Sequence, residues 1–157
     1  MVAMFEFGIH TELLIKILLS IFLGGLIGLE REISHHPAGF RTNILICLGS
    51  TLFMFISYVT TTQTVAGVSL SLDPTRVAAG VVTGIGFLGA GVIFKKGANV
   101  KGLTTAASIW VVASIGLLVG SGLYFIAVVS TAATAVPRAA AFISGLKRDA
   151  LLCEIMK

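Results

Sequence analysis

The residues that could do chemistry in this chain are few, and they cluster. Glu30-Arg31-Glu32 leads into His35-His36-Pro37 and then Ala38-Gly39-Phe40-Arg41-Thr42-Asn43; farther on come Asp73, the run Gly84-x-Gly86-x-x-Gly89-x-Gly91, and Thr104-Thr105. Glu30 and Glu32 could offer carboxylate oxygens to Mg2+, or join the histidines around zinc. The spacing opposes zinc: His35 and His36 point apart on any regular element, and Pro37 breaks a helical repeat. The expectation is no metal and no cofactor. No Ser/His/Asp or Cys/His constellation is visible, so no catalytic residue is assigned and an enzyme is not expected. Gly84-x-Gly86-x-x-Gly89 matches the dinucleotide fingerprint, but that motif needs a preceding strand and an acid about 20 residues on. Here the glycines lie in an uncharged apolar run and position 104 is Thr, so no nucleotide is expected. Asp73-Pro74 reads as a helix start, with Asp as N-cap and Pro at the first helical position. An outer cation site at Asp73 is the alternative.

The elements that must position these residues follow from composition. Of 157 residues, 56% are hydrophobic and 11% charged, with 18 glycines and 3 prolines; mean hydropathy is +1.02. Soluble domains carry about 25% charged residues, so this chain needs lipid as its main solvent. Disorder is excluded by the hydrophobicity, and a disulfide scaffold by the presence of two cysteines only, Cys47 and Cys153. A bilayer core takes roughly 20 apolar residues per helix. Charge-poor runs predict helices at about 13–29, 42–62, 77–94, 102–119 and 123–142. The last two come from a single uncharged run, split at Gly120-Ser121-Gly122, because one helix over it would be roughly 50 Å long. The fold class expected is an all-α polytopic membrane protein. A bundle of about five transmembrane helices forms one domain over 1–145, with a short tail over 146–157.

Basic residues set the orientation. Arg31, Arg41, Lys95, Lys96, Lys101, Arg138, Lys147, Arg148 and Lys157 fall on one side, while Lys16 and Arg76 fall on the other. The basic side is therefore expected in the cytoplasm and the N-terminus outside. The N-terminus does not read as a cleaved leader: Glu6 and Glu12 precede the apolar run and no Ala-x-Ala follows. The inner charge suits anionic lipid headgroups and gives no reason to invoke nucleic acid.

Two features single out the inner end of the bundle. Glu30 and Glu32 sit at a helix C-terminus and Arg41 at a helix N-terminus, each costing roughly 0.3–1 kcal/mol against the helix dipole. A pair between Glu30 or Glu32 and Arg41, closing the corner between the first two helices, would remove both costs. Gly24-x-x-x-Gly28, Gly80-x-x-x-Gly84 and Gly116-x-x-x-Gly120 place small residues on one helix face for close packing, within one chain or between chains. The glycines of helix three are expected to thin it or unwind it locally. Thr104, Thr105 and Ser108 are expected to bond their own helix, and Trp110 to pack mid-helix.

These stretches carry a resemblance. Gly24-Gly-Leu-Ile-Gly-Leu-Glu-Arg-Glu, Ala38-Gly-Phe-Arg-Thr-Asn, Gly84-Ile-Gly-Phe-Leu-Gly-Ala-Gly-Val-Ile and Lys101-Gly-Leu-Thr-Thr-Ala-Ala-Ser-Ile-Trp resemble the MgtC/SapB family of bacterial membrane proteins, over about residues 20 to 120. The resemblance implies a multi-pass protein of the bacterial plasma (inner) membrane, non-enzymatic, supporting adaptation to low Mg2+ and, in pathogens, intracellular survival and virulence. It implies regulation of another membrane protein, such as the F-type ATP synthase. It implies importance for Glu30, Arg31, Arg41, Asn43, Gly86, Gly89, Gly91 and Thr105. Glu32, Thr104 and Asp73 complete the candidate cluster on the residue reading. The best-known members continue into a soluble ACT-like domain; here about 15–20 residues follow the last predicted helix, so the sequence reads as a short member or as a truncated chain. Expected partners are membrane lipids, a second copy of the chain (a dimer first) and another membrane protein. An oligomeric channel or transporter for Mg2+ or another cation is the alternative function.

Overall fold

A computed structural model describes residues 2–61, 64–65, 68–69 and 73–135. Long apolar helices dominate. The first, α1 (Val2–Ile33), and α2 (Phe40–Thr61) are followed by two strands, β1 (Thr64–Val65) and β2 (Val68–Ser69), paired antiparallel. Then come α3 (Pro74–Val92), β3 (Phe94–Lys96), β4 (Asn99–Lys101), α4 (Leu103–Gly120) and α5 (Tyr124–Ala135). Among the described residues four stretches are long and apolar enough to cross a membrane: Gly8–Ile33, Phe40–Thr61, Pro74–Val92 and Leu103–Gly120. The chain is an all-α polytopic membrane protein; among the described residues its strands form two small hairpins. The expected extension of the fifth helix to 142, the tail over 146–157, residue 62 and Cys153 lie outside the described residues.

Each predicted helix is present, and the terminators are physical. α1 ends in a Schellman motif: His36 N donates to Arg31 O (2.9 Å) and His35 N to Glu32 O (3.1 Å), with His35 left-handed at φ 54°. α3 starts as expected, with Asp73 accepting from Thr75 N at 2.9 Å and Pro74 opening the helix. The turn predicted at 120–122 is a second Schellman motif. Gly122 takes the left-handed position (φ 84°), and Leu123 N reaches back to Leu118 O at 2.9 Å. Between α3 and α4 the chain makes a tight hairpin, Phe94 to Lys96 against Asn99 to Lys101, turning at Gly97 (φ 65°). That hairpin went unread in the sequence, because two three-residue strands give no periodic signal.

Small residues decide which helices pack. A Cβ on Gly24 would lie 2.8 Å from Cys47 Cβ, and one on Gly28 2.8 Å from Phe40 Cα, so this face holds α1 against α2. On α4, a Cβ at Gly116 would strike the Cys47 carbonyl, and one at Gly120 would lie 2.6 Å from Met54 Cβ. Thr51 Oγ1 sits 2.9 Å from both Cys47 O and Gly116 O, which bonds α2 to α4 across this contact. The core between α1, α2, α4 and α5 contains Leu23, Ile27, Cys47, Val112, Ile115, Val119 and Ala127. α3 stands apart. Of its residues only Ile85 and Gly89 are buried, and nothing lies within 4 Å of a Cβ built on Gly80 or Gly84. Two glycine faces therefore pack within the chain and the third does not.

Candidate functional site

The end of the bundle that carries the candidate cluster is organised by Arg31. Its side chain is fully buried. Nε donates to Ala38 O (3.2 Å), and Nη2 donates to Pro37 O (2.7 Å) and to Thr105 Oγ1 (3.0 Å). One guanidinium thus ties the end of α1 to the α1–α2 corner and to the first turn of α4. Asn43, also fully buried, donates from Nδ2 to Ala38 O (2.6 Å) and Gly39 O (2.8 Å). Ala38 is left-handed at φ 59°, a conformation costing a non-glycine residue about 1–2 kcal/mol. It is held there by the two donors that converge on its carbonyl.

The expected pair between Glu30 or Glu32 and Arg41 does not form. Among the described residues neither carboxylate is within ion-pair distance of Arg41, whose side chain is exposed. Glu32 instead accepts from Phe40 N at 2.8 Å. A carboxylate placed unfavourably at the C-terminus of α1 lies at the N-terminus of α2, where the dipole and an orphan N–H favour it. Gly39 has no side chain to cap with, and a Cβ there would lie 2.9 Å from Glu32 Oε2. Glu30 Oε1 accepts from Ser34 Oγ at 3.2 Å, while its Oε2 is buried without a hydrogen bond.

Two further expectations are corrected, and of the two forms expected for α3, thinned or locally unwound, the unwound one is too. Thr105 does not turn back to its own helix but accepts from Arg31, because it faces the corner while Thr104 is exposed. Trp110 is 50% exposed on the outer face of α4 rather than packed inside. α3 runs unbroken through its glycines: Gly89 approaches Ala106 Cβ at 3.6 Å, while Gly86 and Gly91 have open space beside them. Asp73 is exposed, far along the chain from this cluster and capping α3. Hydrogen bonds from the Thr75 hydroxyl and N–H hold its carboxyl below the usual range. No group of three or more His, Cys, Asp or Glu side chains converges in a metal-binding arrangement among the described residues.

A second feature is the space between α2 and α3. An apolar cavity of about 990 Å³ opens there, walled by Leu45, Ile46 and Phe53 on α2 and by Gly80, Gly84 and Leu88 on α3. Its shape follows from the sequence of α3: without Cβ atoms at Gly80 and Gly84, the wall recedes.

Residues 17–142 match the profile of the MgtC family. The chain belongs to the MgtC family. It is 46% identical over 114 residues to the putative magnesium transporter YhiD of Escherichia coli K12, covering 73% of this chain and 53% of that protein. It is 50% identical over 112 residues to protein MgtC of Brucella abortus (71% and 44%), and 42% identical over 118 residues to protein MgtC of Salmonella typhimurium (75% and 47%). The chain spans about half the length of the curated relatives it matches. No solved structure matches it.

The MgtC-family match takes in the Arg31 corner and begins one residue after Lys16, to which the sequence assigned no role beyond orientation. Lys16 lies inside α1, only 3% exposed. Its ammonium pairs with Glu12 (2.7 Å), donates to Gly120 O (2.9 Å) and sits 4.9 Å from the centre of the Phe55 ring. An intramembrane lysine costs about 2.5–3.5 kcal/mol at a helix centre. Here a carboxylate, the negative end of α4 and an aromatic face offset that cost. The signal available in sequence was Glu12 four residues before Lys16, the spacing of a helical ion pair.

Proposed function

We propose that this protein is a non-enzymatic regulator in the bacterial plasma membrane, active in adaptation to low Mg2+, that works by receiving a helix of another membrane protein along α3. The observation that carries this is the α2–α3 cavity with Gly80 and Gly84 open beside it. Small residues let helix backbones approach closely in lipid. The other two glycine faces of this chain are used in that way internally, which makes the empty third a ready seat. The Mg2+ connection is supported by the relative named putative magnesium transporter YhiD and those named MgtC. The basic end, bearing Arg31, Lys95 and Lys101, is placed in the cytoplasm by the positive-inside rule. The partner on this reading is another membrane protein, such as the F-type ATP synthase, with intracellular survival the outcome in a pathogen.

A pull-down from cells grown in low Mg2+ tests this reading. Recovery of a defined membrane protein, reduced at least tenfold by Gly80→Leu/Gly84→Leu in a variant whose melting temperature is not lowered, is expected. Unchanged recovery would defeat it. A second reading, an oligomeric cation channel or transporter, draws on the name of the Escherichia coli relative. Among the described residues no group of three or more His, Cys, Asp or Glu side chains converges to take a cation, and Lys16, buried in α1, is paired with Glu12. Selective Mg2+ flux in liposomes, abolished by Glu30→Ala, would establish it instead.

A further inference from the structure

Ser50 stands at the middle of α2, is 3% exposed and lies in the wall of the α2–α3 cavity. Among the described residues its hydroxyl makes no hydrogen bond. We propose that the helix received by this cavity carries a hydrogen-bonding side chain at mid-span, opposite Ser50, and a carboxylate about nine residues away, at the end that meets Arg41 and Lys95. This rests on the reading that the cavity seats a helix, and names the chemistry by which that helix is chosen.

A hydroxyl on a membrane helix ordinarily donates to the carbonyl one turn back. Thr51, Thr60, Thr83 and Ser114 do so in this chain; Ser50 does not. A Cβ on Gly116 would lie 2.7 Å from Ser50 Cβ, and Ile109 of α4 lines the same cavity. Ser50 therefore belongs to the floor, where α2 meets α4. The other hydroxyl in the wall, Thr42, is exposed in the first turn of α2. An unbonded hydroxyl is unfavourable in apolar surroundings, and lipid tails have nothing to bond it with. A polar side chain on an incoming helix does. Gly80 and Gly84, with open space in place of a Cβ, let that helix come close.

Charge fixes the direction of the partner. Among the described residues no charged side chain lines the cavity. At one end Arg41 precedes Thr42 on α2, and Lys95 follows Val92 in the β3–β4 hairpin; both are exposed. Neither has an ion pair among the described residues. Glu32, the acid nearest Arg41 along the chain, is turned to Phe40 N. The opposite end carries both signs, Asp73 and Arg76, and sets no preference. Arg41 precedes Ser50 by about 14 Å of helix. A partner lying along α2 meets both when its carboxylate and its polar side chain have the same separation.

Energy transfer between the labelled full chain and labelled synthetic helices in phosphatidylcholine liposomes tests this. The probe is a Leu/Ala helix of about 20 residues, kept dilute, with Asn at its centre and Glu about nine residues away. One control replaces the Asn by Leu, the other the Glu by Lys. The probe is expected to bind about threefold tighter than the Leu control, and Ser50→Ala to abolish that preference. It is expected to bind about threefold tighter than the Lys control, a difference that Arg41→Gln/Lys95→Gln removes. The melting temperature of Ser50→Ala is expected to be unchanged or raised, since no bond within the chain is lost. A lowered one would give the hydroxyl a role in the fold and overturn the proposal. So would a preference for Asn that survives Ser50→Ala, or no preference for Glu over Lys. Equal binding of the probe and the Leu control, both lost in Gly80→Leu/Gly84→Leu, would overturn this proposal and leave the helix seat standing. Binding of no helix, as when lipid fills the cavity, would overturn both.

Discussion

Single residues at the α1–α2 corner do work that their types alone conceal. His35 and His36 invite a metal reading, yet His35 occupies the left-handed position that ends α1. His35→Gly is therefore expected to raise thermal stability by up to about 1 kcal/mol, since glycine takes this conformation without the Cβ penalty; a melt in detergent measures it. Ala38 accepts a similar strain because Arg31 and Asn43 both bond its carbonyl. Asn43→Ala should cost about 1–3 kcal/mol by releasing two hydrogen bonds from a fully buried site, read in the same melt. Gly102 is more demanding still: at φ 90° and with a Cβ that would collide with the Val92 carbonyl, Gly102→Ala should lower stability by more than about 2 kcal/mol.

At the level of elements, identical glycine spacing has opposite consequences. Gly116 lies against the Cys47 carbonyl of α2, while Gly84 has open space around it. Gly116→Ala should destabilise the bundle, whereas Gly84→Ala should stabilise α3 by about 1 kcal/mol from helix propensity alone. Paired melting curves would show opposite signs. α3 also carries a pH dependence at its start. Thr75 holds the Asp73 carboxyl below its ordinary value, so the N-cap bond contributes stability above the unfolded value of about 3.9. That contribution is lost as pH falls through the lower, folded value. Hydrogen exchange of the first α3 amides should accelerate over this acidic window, and Asp73→Ala should remove the dependence.

For the whole molecule, charge and glycine divide the labour. Lys16 clasps α1 to the turn between α4 and α5 at one end, and Arg31 ties α1 to α4 at the other. α1, α2 and α4 are thereby fixed as one body, with α3 beside them enclosing the open cavity. A partner helix seated there would meet a prepared surface rather than one formed on binding. On the proposed reading the Gly80→Leu/Gly84→Leu variant should lose partner recovery while its melting temperature stays the same or rises.

Composition and charge placement alone determined that the chain is helical, lies in lipid, and turns at 120–122. The physical reason is local: hydrophobic run length and the φ > 0 demand of Gly122 are properties of short segments. The Asp73 cap was legible for the same reason. Partner choice was not. Glu32 was expected to seek Arg41 because both oppose their own helix dipoles, but the corner geometry supplied the neighbouring N-terminus instead. Lys16 was legible only as a cation on the less basic side, since nothing in a single segment shows that Gly120 O and Phe55 converge on it. Which glycine face packs inward and which stays open was likewise decided only in the tertiary structure, because three stripes of the same spacing differ solely in what the other helices bring to them.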